Sequence, residues 1–256
     1  MHDAYPGDGG AHTETQRVGK EPREGFSVAR CEARGLPLAS ATPSTRRRMP
    51  ERMLFDVTRP VRGGMPVWPG DAPCRVGWTS RMADGDAANV AELGMSAHTG
   101  THADGPFHVC ADGVRIGAAP LGAFLGPALL VDARGRALDA NWAREAVAGA
   151  PERLLVRTGA WVDAHAFPTR FAAPTPEAAR ILAEAGVRLL GTDAPSVDPF
   201  DSADLPAHRV LCAAGVAIVE NLLLDGVPPG AWELIALPLR LEEADASPVR
   251  AVLRSL

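Results

Sequence analysis

The sequence predicts a single α/β domain with a mixed β-sheet flanked by a few helices, and three observations carry that expectation. Strand-like segments outnumber helix-like ones. Several of the strands are short apolar runs of the kind buried on both faces. Some helices fall between strands, where they can act as crossovers. A hydrophobic fraction of 46% over 256 residues is enough for one sizeable core, or at most two small ones. No internal repeat is visible.

Taken in order, residues 1–52 stand apart. They are polar, rich in Gly, Pro, Glu and Arg, and end in Arg46-Arg47-Arg48-Met49-Pro50-Glu51-Arg52. Without periodic apolar residues they are expected to form a disordered N-terminal extension, with Met49 or Met53 as alternative starts. Residues 53–256 are expected to form the folded domain. Strands are expected at 53–58, 74–79, 90–97, 128–132, 153–158, 187–192, 216–220, 232–237 and 249–253. A helix over 140–148 has Asp139 as its N-cap. A second opens with Thr175 as cap and Pro176 at the first helical position, runs through 185, and stops at Gly186. A third, over 206–214, ends at Gly215.

Composition removes several function classes. A net charge of −5 and a pI of about 5.8 give no electrostatic footprint for nucleic acid or an anionic membrane. No apolar run reaches the roughly 18 residues of a membrane span, and no signal-peptide block opens the chain. A cytoplasmic protein is expected. Cys31, Cys74, Cys110 and Cys212 are scattered without CxxC spacing, so neither a disulfide nor a thiolate zinc site is expected. Lys20 is the sole lysine, which removes Schiff-base and Walker-type lysine chemistry from residues 53–256.

Chemistry concentrates in His98-Thr99-Gly100-Thr101-His102-Ala103-Asp104-Gly105-Pro106-Phe107-His108. Imidazole with carboxylate suits zinc, manganese or iron. Thr99-Gly100-Thr101 disfavours a helix. A straight strand would instead separate His98 and His102 by about 13 Å, too far for easy sharing of one ion. The spacing therefore predicts a bend at Gly100, with His102 and Asp104 on one face of extended chain. Gly105-Pro106 then turns and brings His108 in from a new direction. Asp104 is an expected ligand that can bridge two metals, while spacing leaves His108 open as ligand or acid–base group. Glu220, ending the apolar run 216–219, needs a partner for its carboxylate.

The same run resembles the HxGTHxDxPxH signature of the metal-dependent cyclase-like hydrolases, and within them the bacterial kynurenine formamidases. Further similarity lies in Trp68-Pro69-Gly70-Asp71, the segment from Gly191 to Pro199, Leu205-Pro206-Ala207-His208, Val219-Glu220-Asn221-Leu222, the segment from Trp232 to Pro238, and Ser247 to Leu253. The resemblance spans about residues 53–256 and implies a partly barrel-like mixed sheet and a homodimer. It implies two zinc ions per subunit: His98, His102 and Asp104 on one, with Asp104 bridging to a second held by His208 and Glu220. His108 matches the acid–base residue and Trp68 a substrate-contacting position. The implied reaction is hydrolysis of N-formyl-L-kynurenine to L-kynurenine and formate.

Two other readings use the same residues. A related metal hydrolase could act on another amide, a lactam or a cyclic ketone. Gly94-Met95-Ser96-Ala97-His98 is one residue from a GxSxG serine-nucleophile elbow, but His98 is too large for its crowded fifth position and no helix signal follows. A closed structural zinc cage usually contains cysteine, and this cluster has none.

Overall fold

The computed structural model describes residues 53–256. The disordered-extension reading of residues 1–52 lies outside the described residues. Nine strands form one curled, half-barrel sheet, and two more form a separate hairpin.

At the sheet's centre is a parallel block: β5 (Leu125–Asp132), β6 (Arg153–Arg157), β7 (Leu189–Thr192) and β8 (Ala217–Glu220). Its strands are joined through α1 (Ala140–Ala146), α2 (Pro176–Glu184) and α3 (Pro206–Ala213), one helix per crossover. The helix starts follow the sequence signals. Asp139 accepts from the Asn141 and Trp142 amides, and Thr175 accepts from the Ala178 amide ahead of Pro176. Antiparallel strands extend both sides. β1 (Leu54–Asp56), β11 (Val252–Arg254) and β9 (Gly230–Ile235) lead to β5; β4 (His102–Asp104) and β10 (Ala246–Pro248) follow β8. β2 (Arg75–Ser80) and β3 (Val90–Gly94) pair only with each other.

Two hydrophobic cores lie on opposite faces of the sheet, and period-two alternation assigns residues to each. Leu154, Val156, Leu190 and Ile218 pack with Trp142, Leu182 and Leu211 of the helices. Leu155, Leu189 and Val219 turn the other way, into the concave core with Leu130, Trp232, Leu234 and Leu253. The same alternation sets the site. Ala103 belongs to the concave core, so His102 and Asp104 share the opposite face, the one covered by α3.

Every expected strand and helix is present, with ends shifted by a few residues. The largest difference is the third strand, expected over 90–97, which stops at Gly94; Ala97 and His98 enter a turn held by Thr99 N–H donating to the Ser96 carbonyl. No helix follows Ser96, so the serine-elbow reading loses its framework. β4 and β10 were not expected. No described helix is long and apolar enough to cross a membrane. Cys74, Cys110 and Cys212 are free thiols.

Candidate metal centre and substrate cavity

The chain bends where the histidine spacing requires. Gly100 has φ +68°, a left-handed value that costs a glycine little. After it, β4 runs between β8 and β10. Its register sets His102 opposite Glu220 and Asp104 opposite Ile218. Hydrogen bonding of neighbouring strands thus puts His102, Asp104 and Glu220 together, although Glu220 is over a hundred residues later in sequence. α3 adds His208 from above.

Within this cluster Asp104 is central. Its Oδ1 lies 3.1 Å from His98 Nδ1 and 3.4 Å from His102 Nε2. Its Oδ2 lies 3.7 Å from His208 Nε2, which is 3.3 Å from Glu220 Oε1. His102 Nε2 also lies 3.5 Å from Glu220 Oε2. Two ligand groups form around Asp104, His98–His102–Asp104 and Asp104–His208–Glu220, and a third, His98–His108–Asp245, shares His98; each has donor atoms close enough to hold one ion.

The other ring nitrogen of each histidine is already engaged. His102 Nδ1 donates to the Gly100 carbonyl at 2.9 Å, which fixes the proton there because a carbonyl can only accept. His208 Nδ1 donates to Asp198 Oδ2 at 2.7 Å, and His98 Nε2 donates to Asp245 Oδ2 at 2.9 Å. All three lone pairs are thereby directed at Asp104, the tautomer arrangement that metal-ligating histidines use. Asp198 does more than orient His208. It also accepts from the Ala207 and His208 amides, capping α3 where Leu205, at φ +46°, offers no side-chain cap.

The donor set fits a metal ion. His102 Nε2 and both Asp104 oxygens are buried without a hydrogen-bond partner. Three adjacent orphaned polar atoms are costly in a protein interior unless a cation joins them. Nitrogen and oxygen donors without thiolate suit zinc, manganese or iron. Charge coupling tells the same story for the protein alone. Burial opposes protonation of His98 and His102, yet Asp104, with Asp245 at His98 and Glu220 at His102, raises them to about 9 and about 10. Burial likewise opposes charge on Asp104, but the surrounding histidines hold its carboxyl well below the usual range.

His108 enters on the turn after Gly105-Pro106, its ring centroid 4.4 Å from that of His98. Its Nδ1 donates to Asp245 Oδ2 at 3.1 Å, which leaves Nε2 unengaged. His98, His102, His108, His208 and Glu220 all face a cavity of about 320 Å³, within the range of small-molecule sites. Trp68 lines it too, packed edge-on against Phe167 with centroids 5.5 Å apart, and Phe167 meets Trp161 at 5.6 Å.

All seven residues singled out in the sequence are therefore brought into one place. Asp198, Asp245, Arg59, Trp161 and Phe167 were missed. Asp198 sits in the resembling segment Gly191–Pro199, so a signal existed; nothing local marks Arg59 or Trp161.

A family model described as a cyclase matches residues 55–199, more than half of the chain and the part that includes the whole run from His98 to His108. The chain belongs to the cyclase family. His208 and Glu220 lie beyond that match. Solved structures extend the similarity to 80% of this chain. One, described as a potential metal-dependent hydrolase with cyclase activity, is 29% identical, with a TM-score of 0.68 over 99% of its length. A protein from Bacillus stearothermophilus described as a predicted metal-dependent hydrolase is also 29% identical, with a TM-score of 0.66 over its full length, 100%. Isatin hydrolase A from Labrenzia aggregata is 28% identical, with a TM-score of 0.66 over 94% of its length. A metal-dependent hydrolase of the cyclase-like family is thus the coarse identity, and its half-barrel sheet is the family fold.

Proposed function

We propose that the protein hydrolyses the aryl formamide of N-formyl-L-kynurenine to L-kynurenine and formate, as a cytoplasmic homodimer. The observation that carries this reading is Asp104, buried at the centre of the histidine cluster, with one orphaned oxygen towards His98 and His102 and the other towards His208. His98, His102 and Asp104 would hold one ion, and Asp104, His208 and Glu220 would hold a second. Zinc suits these donors, and when bound it supplies Lewis acidity for the amide carbonyl and makes water more acidic.

The remaining work falls to side chains. With Nδ1 tied to Asp245, His108 presents Nε2 to the cavity. Water attacks the formyl carbon as Nε2 takes its proton. The C–N bond then breaks as Nε2 returns that proton to the anilino nitrogen, a poor leaving group as an anion. Such help is typically worth about 10²–10⁴-fold. Trp68 forms the wall for the aryl ketone ring.

A second reading has its own support. Isatin, the substrate that names the Labrenzia aggregata relative, is a cyclic aryl amide, and the same centre could open a lactam. Turnover of N-formyl-L-kynurenine and of isatin by one zinc-replete sample, with its metal content measured, separates the two. Efficient release of formate, with isatin at least tenfold slower, is expected. Isatin opening without formate release would overturn the formamidase reading.

A further inference from the structure

We infer that Arg59 is the receptor for a carboxylate on the substrate, so that the cavity selects aromatic amides carrying an anionic side chain. The inference deepens the formamidase reading and rests on it for the substrate's amide end.

Arg59 lines the same cavity as the histidines and is only 8% exposed. Its guanidinium carbon stacks 3.8 Å from the centre of the Trp161 ring. Among the described residues that guanidinium makes no side-chain hydrogen bond and no ion pair, and its Nε is buried without a partner.

The other buried arginines are different. Arg153 donates to the carbonyls of Gly122, Ala123 and Pro127, and Arg157 to those of Leu224 and Val227 and to Asp132. Arg157 also has an unpartnered Nε, but both its terminal nitrogens are bonded, whereas among the described residues those of Arg59 are not, and Arg59 lines the cavity. Burial lowers the Arg59 pKa to about 10, still charged at neutral pH; Asp193 and Asp225 favour that charge without pairing with it. The Asp193 carboxylate is taken by Thr158 N–H and O–H and by Gly159 N–H.

A buried, unpaired cation is costly, and a planar fork of donors is the natural complement of a carboxylate. The backbone holds the receptor in fixed relation to the metal centre. Arg59 N–H donates to Thr101 Oγ1, next to His102 in sequence. Thr101 Oγ1 donates to the carbonyl of Asn221, next to Glu220. Asn221 Oδ1 in turn accepts the indole N–H of Trp161, the ring beneath the guanidinium. Isatin has no carboxylate to offer; N-formyl-L-kynurenine has one, at the end of its side chain away from the formamide.

The test pairs two probes on zinc-loaded protein, 4-oxo-4-phenylbutanoate and its neutral primary amide, with binding read by tryptophan fluorescence. Wild type is expected to prefer the acid by roughly tenfold to hundredfold, the usual range for a charge-assisted pair. Arg59→Met should abolish that preference and leave amide binding within about twofold, which also shows that the variant is folded. Arg59→Lys should retain part of it, because the charge remains while the fork is lost. A preference that survives in Arg59→Met would place the carboxylate on the metal and overturn the proposal, as would equal binding of acid and amide by wild type. Binding does not depend on turnover. A protein that binds the acid through Arg59 yet leaves N-formyl-L-kynurenine intact would therefore sink the formamidase reading alone.

Discussion

At the scale of single residues, the site is best understood by following each imidazole nitrogen. His98, His102 and His208 each have one nitrogen held by Asp245, Gly100 or Asp198 and the other facing Asp104. His108 has its Nδ1 on Asp245, while its Nε2 faces open cavity rather than Asp104. That difference separates the proposed ligands from the proposed proton carrier and yields a paired prediction. His108→Ala should purify with nearly full metal content and lose roughly two to four orders of magnitude in turnover. His102→Ala should lose metal and activity together, because it removes a proposed ligand that lies within 3.5 Å of both Asp104 and Glu220. Metal counting by mass spectrometry on both variants checks this. A metal-free His108→Ala would make His108 a ligand, grouped with His98 and Asp245. Full activity in that variant would end its acid–base role.

At the scale of elements, legibility followed length and period. Long apolar runs such as β5 and β6, and helices with a cap and a stop, could be read directly. β4 and β10 could not, since each has three residues and little β-propensity, and their pairing with each other and β8 is a tertiary fact. That missed edge carries His102 and Asp104, so the proposed ligands were legible as a motif while the strand presenting them was not. The β2–β3 hairpin is the opposite case: both its strands were expected from sequence, yet the pair is left without a partner sheet. Val76 pairs with Leu93 and Trp78 with Ala91, giving one apolar face, with Val76, Trp78 and Leu93 exposed. A lone hairpin is only marginally stable, and a face of this kind marks an interaction site. In the proposed homodimer this face would meet the second copy. Trp78→Glu should then shift sedimentation-velocity profiles from dimer towards monomer at micromolar concentration. An unchanged dimer would move the interface elsewhere; a monomeric wild type would end the proposal.

At the scale of the whole molecule, the candidate metal centre gathers side chains from several separate elements. The His98 turn and β4, β8, and α3 each contribute a ligand, and Asp104 and Glu220 are buried side by side among them. With an ion in place their charges are compensated; without one, compensation comes only from the histidines. The concave core and the helix-side core are large enough to keep the domain folded on their own, so removal of metal should lower stability rather than unfold the chain. Binding linkage gives the size. An ion present at about a thousand times its dissociation constant adds about 4 kcal/mol, and a domain of this length shifts by about 2–4 °C per kcal/mol. Dialysis against a chelator should therefore lower Tm by about 10 °C for each ion removed, and added zinc should restore it. Both changes should be about half as large in His102→Ala, which lacks a ligand of one of the two proposed ions and keeps the Asp104–His208–Glu220 group. Scanning calorimetry of the two proteins, each with and without chelator, measures all four states. A wild-type Tm indifferent to chelation, in a sample shown to have lost its metal, would mean that the ion serves catalysis alone and that the buried carboxylates are held by the histidines without it.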